Sequence, residues 1–137
     1  MKFTIRRCSK RVANGIWRIV APLDSPIKAR AYWAVYDKNN NDCPVGFAAI
    51  LGIHENDKSV FFSAAGVLPE YSGMGLQRKL IIKRLRWAKK KGYLEAETYT
   101  TLKNYSSIIN LLRCGFRFET PASMWVGEDI HYFRKRL

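Results

Sequence analysis

The residues best suited to chemistry lie in one run, Gly66-Val67-Leu68-Pro69-Glu70-Tyr71-Ser72-Gly73-Met74-Gly75-Leu76-Gln77. The run starts at the end of an apolar stretch, Val60 to Val67, that predicts a buried strand. It then passes a proline turn and a Gly-x-Gly, and enters a long amphipathic pattern that predicts a helix. Strand, glycine loop and helix start together suit an anion. Glycine lets the backbone come close to a ligand, and the first amides of a helix have no partner within it. The helix dipole adds attraction for phosphate at that end. A Gly-x-Gly alone also fits an ordinary turn, so its meaning depends on what surrounds it.

The elements that must hold this loop can be followed along the chain. Lys2 to Arg7 sets Phe3 and Ile5 against charged or polar neighbours, a strand with one buried face. Val12 to Lys28 is the least regular region: Ile16, Trp17, Ile19, Val20 and Leu23 suit a helix ended by Pro22 or by Asp24-Ser25-Pro26. Ala29 to Tyr36 reads as a strand, and residues 37–42 as a turn cluster. Pro44 to Ile53 is apolar on both faces and so central in a sheet. Glu55-Asn56-Asp57 turns the chain into the next strand. Short connections make these strands an antiparallel meander.

From Gly75 to Lys91, Leu76, Leu80, Ile81, Leu85 and Ala88 recur at helical spacing as a buried stripe. Lys79, Lys83, Arg86 and Lys90 form the opposite, solvated face. Gly92 caps the helix after Lys89-Lys90-Lys91, cations at the negative end of the dipole. Leu94 to Tyr99 is a strand joined to the previous one through that helix, hence parallel to it. Asn104 suits a helix N-cap, Gly115 ends that helix and Phe116 opens a return strand. Ser123 to Arg134 reads as a last strand, and Arg134-Lys135-Arg136 as a contact or a frayed tail. No repeat or low-complexity linker interrupts the chain, and its length fits one domain over residues 1–137.

Composition bounds the function classes. A 47% hydrophobic and 13% aromatic content supports a packed core rather than disorder. Cys8, Cys43 and Cys114 are odd in number and scattered, with no C-x-x-C or His/Cys cluster, so neither a disulfide framework nor a zinc site is expected. Free thiols and a charged N-terminal stretch without a signal-peptide core fit a cytoplasmic protein with no membrane span. The net charge of +13 predicts salt-sensitive attraction to polyanions and anionic cofactors. Rossmann-type dinucleotide binding fails on the absence of G-x-G-x-x-G.

Val67, Pro69, Gly73, Met74, Gly75 and Leu76 resemble the acetyl-CoA motif of the GNAT N-acetyltransferases, V-x-P-x-x-[QR]-x-x-G-x-[GA] leading into a helix. Ser72 and Gln77 depart from it, standing where Arg or Gln and where Gly or Ala are usual. Downstream, Asn104, Ser107, Ile108, Leu111, Gly115 and Phe116 resemble the family's N-x-x-[AS]-[IV]-x-x-[LY]-x-x-x-G-F segment. With their flanking strands the two motifs span Phe47 to Phe118, over half the chain. The resemblance implies an α/β fold with a mixed sheet of about six to seven strands and about three to four helices. The parallel pair around Val67 and Thr98 would splay at a cofactor cleft. It also implies acetyl transfer from acetyl-CoA to an amine acceptor, directly, in a ternary complex.

By the same resemblance Ser72, Gly73, Met74, Gly75, Leu76 and Gln77 cradle the pyrophosphate. Gly66, Val67 and Leu68 offer strand-edge hydrogen bonds to pantetheine, and Asn104 contacts the cofactor arm while capping its helix. The acid–base pair is less clear. Leu111 stands where the family often has a tyrosine, and Phe61 where some members have a glutamate. Ser107, Tyr105, Glu97 and Tyr99 are the substitutes, with proximity and water as the remaining means. Cys114 suits core packing, and His54 and His131 suit structural or exposed positions. The acceptor wall offers Asp24, with Glu55 and Asp57 nearby, so a neutral or anionic acceptor, or a lysine on an acidic protein, suits the charge. A second reading keeps the fold and drops the enzyme: a weak or inactive module binding nucleic acid or an acidic partner through Lys79, Lys83, Arg86 and Lys90 beside Trp87. Monomer and homodimer are both compatible with the sequence.

Overall fold

The computed structural model describes residues 2–53, 58–119 and 129–137. Strand β1, Phe3–Arg7, leads to helix α1, Lys10–Val20. Ser9 caps α1, its Oγ accepting the Val12 N–H at 3.2 Å. Ala13 and Ile16 point into the core, and the helix stops just before Pro22, which cannot continue it. Strands β2, Ala31–Asp37, and β3, Cys43–Ile53, form a hairpin whose turn holds Asn41 and Asp42 in the left-handed region. Short polar side chains tolerate that conformation best after glycine. Strand β4, Ser59–Val67, pairs antiparallel with β3. The turn read at 55–57 and His54 lie outside the described residues.

A 3-10 turn, Pro69–Tyr71, and the glycine loop lead into helix α2, Leu76–Lys90. Strand β5, Glu95–Thr101, helix α3, Tyr105–Arg113, and strands β6, Arg117–Glu119, and β7, Ile130–Arg136, complete the chain. The strands form one seven-stranded sheet in the order β1-β2-β3-β4-β5-β7-β6, mixed because β4 and β5 alone run parallel. Helix α1 packs on one face through Ala13, Ile16, Phe47 and Ala49. Helices α2 and α3 cover the other through Leu76, Leu80, Ile81, Leu111 and Phe116. Among the described residues no helix is long and apolar enough to cross a membrane.

The last strand differs from its sequence reading. It begins at Ile130 and continues through Arg136, which pairs with Glu95, so the basic C-terminal run is sheet rather than a loose tail. The part of the expected strand from 123 to 128 lies outside the described residues. Three basic residues in a row are tolerated there because Arg134 meets three carboxylates, Glu95, Glu97 and Glu119, at 3.5, 2.8 and 3.9 Å.

Two irregularities shape the site. The parallel β4–β5 ladder is only three pairs long, Ser59 with Glu95 to Phe61 with Glu97. Where it stops, the Thr98 hydroxyl donates to the Phe62 carbonyl at 2.8 Å, a side chain in place of the next ladder bond. In addition, Phe62 pairs with Ile50 and Ala65 with Ala48, so Ser63 and Ala64 together oppose Ala49. A bulge of that kind bends its strand and leaves an extra residue outside the ladder. From Phe62 to Val67, β4 therefore has β3 on one edge and, among the described residues, no strand on the other.

Candidate active site

A cavity of about 450 Å3 fills the opening between β4 and β5. Trp17, Asp24 and Leu51 border it on the α1 side, and Gln77, Ile81, Arg84 and Leu111 on the side of α2 and α3. Phe61 to Ala65 and Thr98 to Thr101 form its walls. The cleft is thus lined by residues from both faces of the sheet.

The glycine loop is built for backbone donors. Gly73 and Gly75 have φ of 77° and 76°, a region that costs a side-chain-bearing residue about 1–2 kcal/mol. A Cβ at either glycine would meet open space, so conformation and access, not packing, call for glycine here. Gly75 sits at the N-cap of α2 and no side chain caps the helix. Its first amides, at Leu76, Gln77 and Arg78, are those that lack an intrahelical acceptor. Leu76 is buried as an anchor, while Gln77 is half-buried on the cleft wall. Met74 is exposed beside them. The Ser72 hydroxyl donates to the Pro69 carbonyl at 2.8 Å, tying the loop to the preceding turn. Tyr71 secures that turn from the other side, its hydroxyl donating to Asp37 at 2.8 Å.

The strand-edge residues divide by direction. The Leu68 N–H donates to the Val45 carbonyl at 2.9 Å, facing β3. Backbone groups of neighbouring strand residues point to alternate sides. Gly66, opposite Phe47, therefore also faces β3, whereas Val67 and Ala65 present theirs to the open edge. Gly66 has a packing reason to be glycine: a Cβ there would lie 2.8 Å from Val20 Cγ2 of α1.

The acid–base candidates separate in the same way. Ser107 is half-buried on the cleft wall, its N–H donating to Asn104 Oδ1 at 3.3 Å, and Asn104 lines the cleft while capping α3. Tyr105 is 66% exposed and does not line the cleft. Glu97 does not line it either, and its carboxylate accepts from Arg134 Nη2 at 2.8 Å. Tyr99 borders the cleft and packs on Phe61, ring centroids 5.7 Å apart. Asp24 borders it from the α1 side, exposed. Cys114 is half-buried against the core and His131 packs among Phe118 and Phe133, both away from the cleft.

Several cleft residues escaped the sequence reading. Ser63 Oγ and Thr100 Oγ1 border the cleft, are buried and have no hydrogen-bond partner among the described residues. Arg84 is buried at 4% exposure, with Nη1 donating to the Ala49 carbonyl at 3.2 Å and Nε more weakly to Leu80 at 3.4 Å. Its guanidinium carbon lies 4.6 Å from the Phe62 ring centroid. Burial pushes its pKa down to about 9, so it stays cationic at neutral pH. The signal for Arg84 was its place in the row Leu76, Leu80, Arg84, Ala88, whose other members are buried and apolar.

Comparison with known proteins adds to this geometry. The profile of the acetyltransferase (GNAT) family matches residues 15–116, most of the chain. No curated protein sequence matches. Among solved structures, an IAA acetyltransferase from Bacillus cereus superposes with a TM-score of 0.81 at 17% identity, covering 99% of this chain and 100% of its own. The ribosomal-protein-S18-alanine N-acetyltransferase of Escherichia coli superposes with a TM-score of 0.75 at 16% identity, over 98% and 94%. The structure of yncA from Salmonella typhimurium, with its cofactor acetyl-CoA, gives 0.74 at 18% identity, over 98% and 93%. At these identities the superpositions establish the fold, and the profile match establishes the kinship: the chain is a member of the GNAT acetyltransferase family.

Proposed function

We propose that the protein transfers an acetyl group from acetyl-CoA to an amine, directly, with both bound in the cleft at once. One observation carries this reading: an uncapped helix start behind two left-handed glycines opens onto a strand edge that has no partner among the described residues. The chain's residues fit the donor substrate. The amides of Leu76, Gln77 and Arg78 would take the pyrophosphate, with the α2 dipole behind them. Val67 and Ala65 would bond the pantetheine amides as an added strand does, and Asn104 would contact the arm from α3. When bound, acetyl-CoA supplies an activated acyl group.

The acceptor enters from the α1 side, past Trp17 and Asp24. Holding its nitrogen against the thioester contributes much of the rate. The unpartnered hydroxyls of Ser63 and Thr100, with Ser107, give a route by which the surplus amine proton reaches water. Glu97 is tied to Arg134 and Tyr105 lies off the wall, which favours this route over a side-chain acid or base. Asp24 is the only carboxylate on the cleft wall among the described residues, so a neutral or anionic amine, or a lysine on an acidic protein, suits the site better than a polyamine.

The test is calorimetric titration of acetyl-CoA into the wild-type protein and Gly75→Glu. The variant adds left-handed strain and a negative charge at the positive end of α2. Micromolar binding that falls about 30- to 150-fold in the variant is expected, as that strain and repulsion together amount to about 2–3 kcal/mol. Equal affinity in both proteins would place the cofactor elsewhere.

A further inference from the structure

We infer that Arg84 is a further catalytic residue, whose buried guanidinium receives the coenzyme A thiolate as the acetyl group leaves it. The inference rests on the acetyl-CoA reading above. It starts from a charge that packing does not explain. Arg84 occupies a buried row otherwise filled by Leu76, Leu80 and Ala88, and it has no carboxylate partner among the described residues. It meets backbone carbonyls and the face of Phe62. A buried cation without a counter-charge is among the costliest groups a core can hold, and an apolar side chain of similar size would pack there at less cost. A negative charge that arrives with the substrate resolves that imbalance.

The position fits such a charge. Arg84 stands about 12 Å along α2 from Leu76, at 1.5 Å per residue. If phosphate sits at the start of α2 and the pantetheine arm follows the open edge of β4, the arm ends where that edge closes, at Phe62 and Thr98. Arg84 borders the cavity there. Leu111, on the same wall, has no proton to give. In the transfer, the acceptor nitrogen bonds to the acetyl carbon and the carbon–sulfur bond breaks. Its electron pair leaves on sulfur, and the surplus proton of the nitrogen passes to water. A thiolate held by Arg84 needs no acid in the cleft and takes its proton from water on release. Fixed positive charge in a water-poor site is an effective way to stabilise charge that develops during reaction.

Cys114, at the end of α3, is the titratable group whose field reaches Arg84. Burial pushes its own thiol pKa up, so it stays neutral in the working range and does not serve as the counter-charge.

The experiment compares binding of coenzyme A and desulfo-coenzyme A by calorimetry from about pH 6.5 to 8.5, below and up to the ordinary thiol pKa of ~8.5. In the wild type, coenzyme A should gain about fivefold in affinity over the desulfo analogue between the two ends of that range, the gain expected when a thiol pKa near ~8.5 is lowered by about one unit. In Arg84→Met that difference should vanish, and kcat should fall about 100-fold with KM for acetyl-CoA little changed, the pattern of a contact made only as charge develops. Arg84→Lys should restore part of both. Should Arg84→Met not fold, the wild-type comparison and the lysine variant decide the matter. Parallel pH profiles for the two ligands in the wild type, or an unchanged kcat in Arg84→Met, would overturn the assignment while leaving the cofactor site standing. If the wild type binds neither ligand, the cofactor reading falls and takes this one with it.

Discussion

The two parts of β4 are both mainly apolar and have opposite fates. Ser59 pairs with β5, and Val60 and Phe61 are paired on both edges, with β3 and with β5. From Phe62 to Val67 it keeps β3 and loses β5. Nothing in the apolar run Val60-Phe61-Phe62 marks the change. What marks it lies on other elements: the Thr98 hydroxyl on the Phe62 carbonyl, the bulge against Ala49, and Arg84 beneath both. The comparison teaches that the cleft is held open by three side-chain and backbone devices at one level of the sheet, and that the residues along its edge contribute backbone.

Breaking that level should have the larger effect. Thr98→Val keeps the shape and removes the hydroxyl, leaving a buried carbonyl unpaired, which costs about 1–3 kcal/mol. We expect a lower melting temperature and a fall in kcat that exceeds any change in acetyl-CoA affinity, measured by thermal unfolding and steady-state kinetics. An unchanged melting temperature would mean the strands part for another reason. A smaller effect is expected on the outer face of α2. Lys83 is exposed and away from the cleft wall, so Lys83→Glu should leave acetyl-CoA affinity within about twofold, since charges beyond the roughly 10 Å screening length are largely damped. It should weaken retention on oligonucleotides or heparin modestly. A steep loss of nucleic-acid binding with no effect on acetyl-CoA would favour the basic-surface binding module over the enzyme.

Local rules made much of the fold legible. The Asn104 cap and the left-handed Gly115 after α3 follow from residue types whose conformational preferences act over a few positions. The parallel relation of β4 and β5 followed from the helix between them. The glycine loop was legible for the same local reason. What the sequence hid depends on distant partners. Gly66 reads as a strand-edge residue, yet Val20 from α1 is what demands its missing side chain. Glu97 reads as a free carboxylate near the cleft, and only the arrival of β7 shows its pairing with Arg134. Tyr105 opens α3 on its outer side. Arg84 reads as one more cation on a basic helix, because side-chain type suggests solvent while its place in the i, i+4 row demands burial.

The account turns on the open half of β4, and amide hydrogen exchange measures that half directly. With acetyl-CoA bound, exchange at Ala65 and Val67 should slow by about tenfold or more, as a free edge gains hydrogen-bond partners. Val60, already paired on both sides, should not change. If acetyl-CoA binds and the amides from Phe62 to Val67 exchange as fast as before, the cofactor does not lie along this edge and the proposed geometry of transfer is wrong.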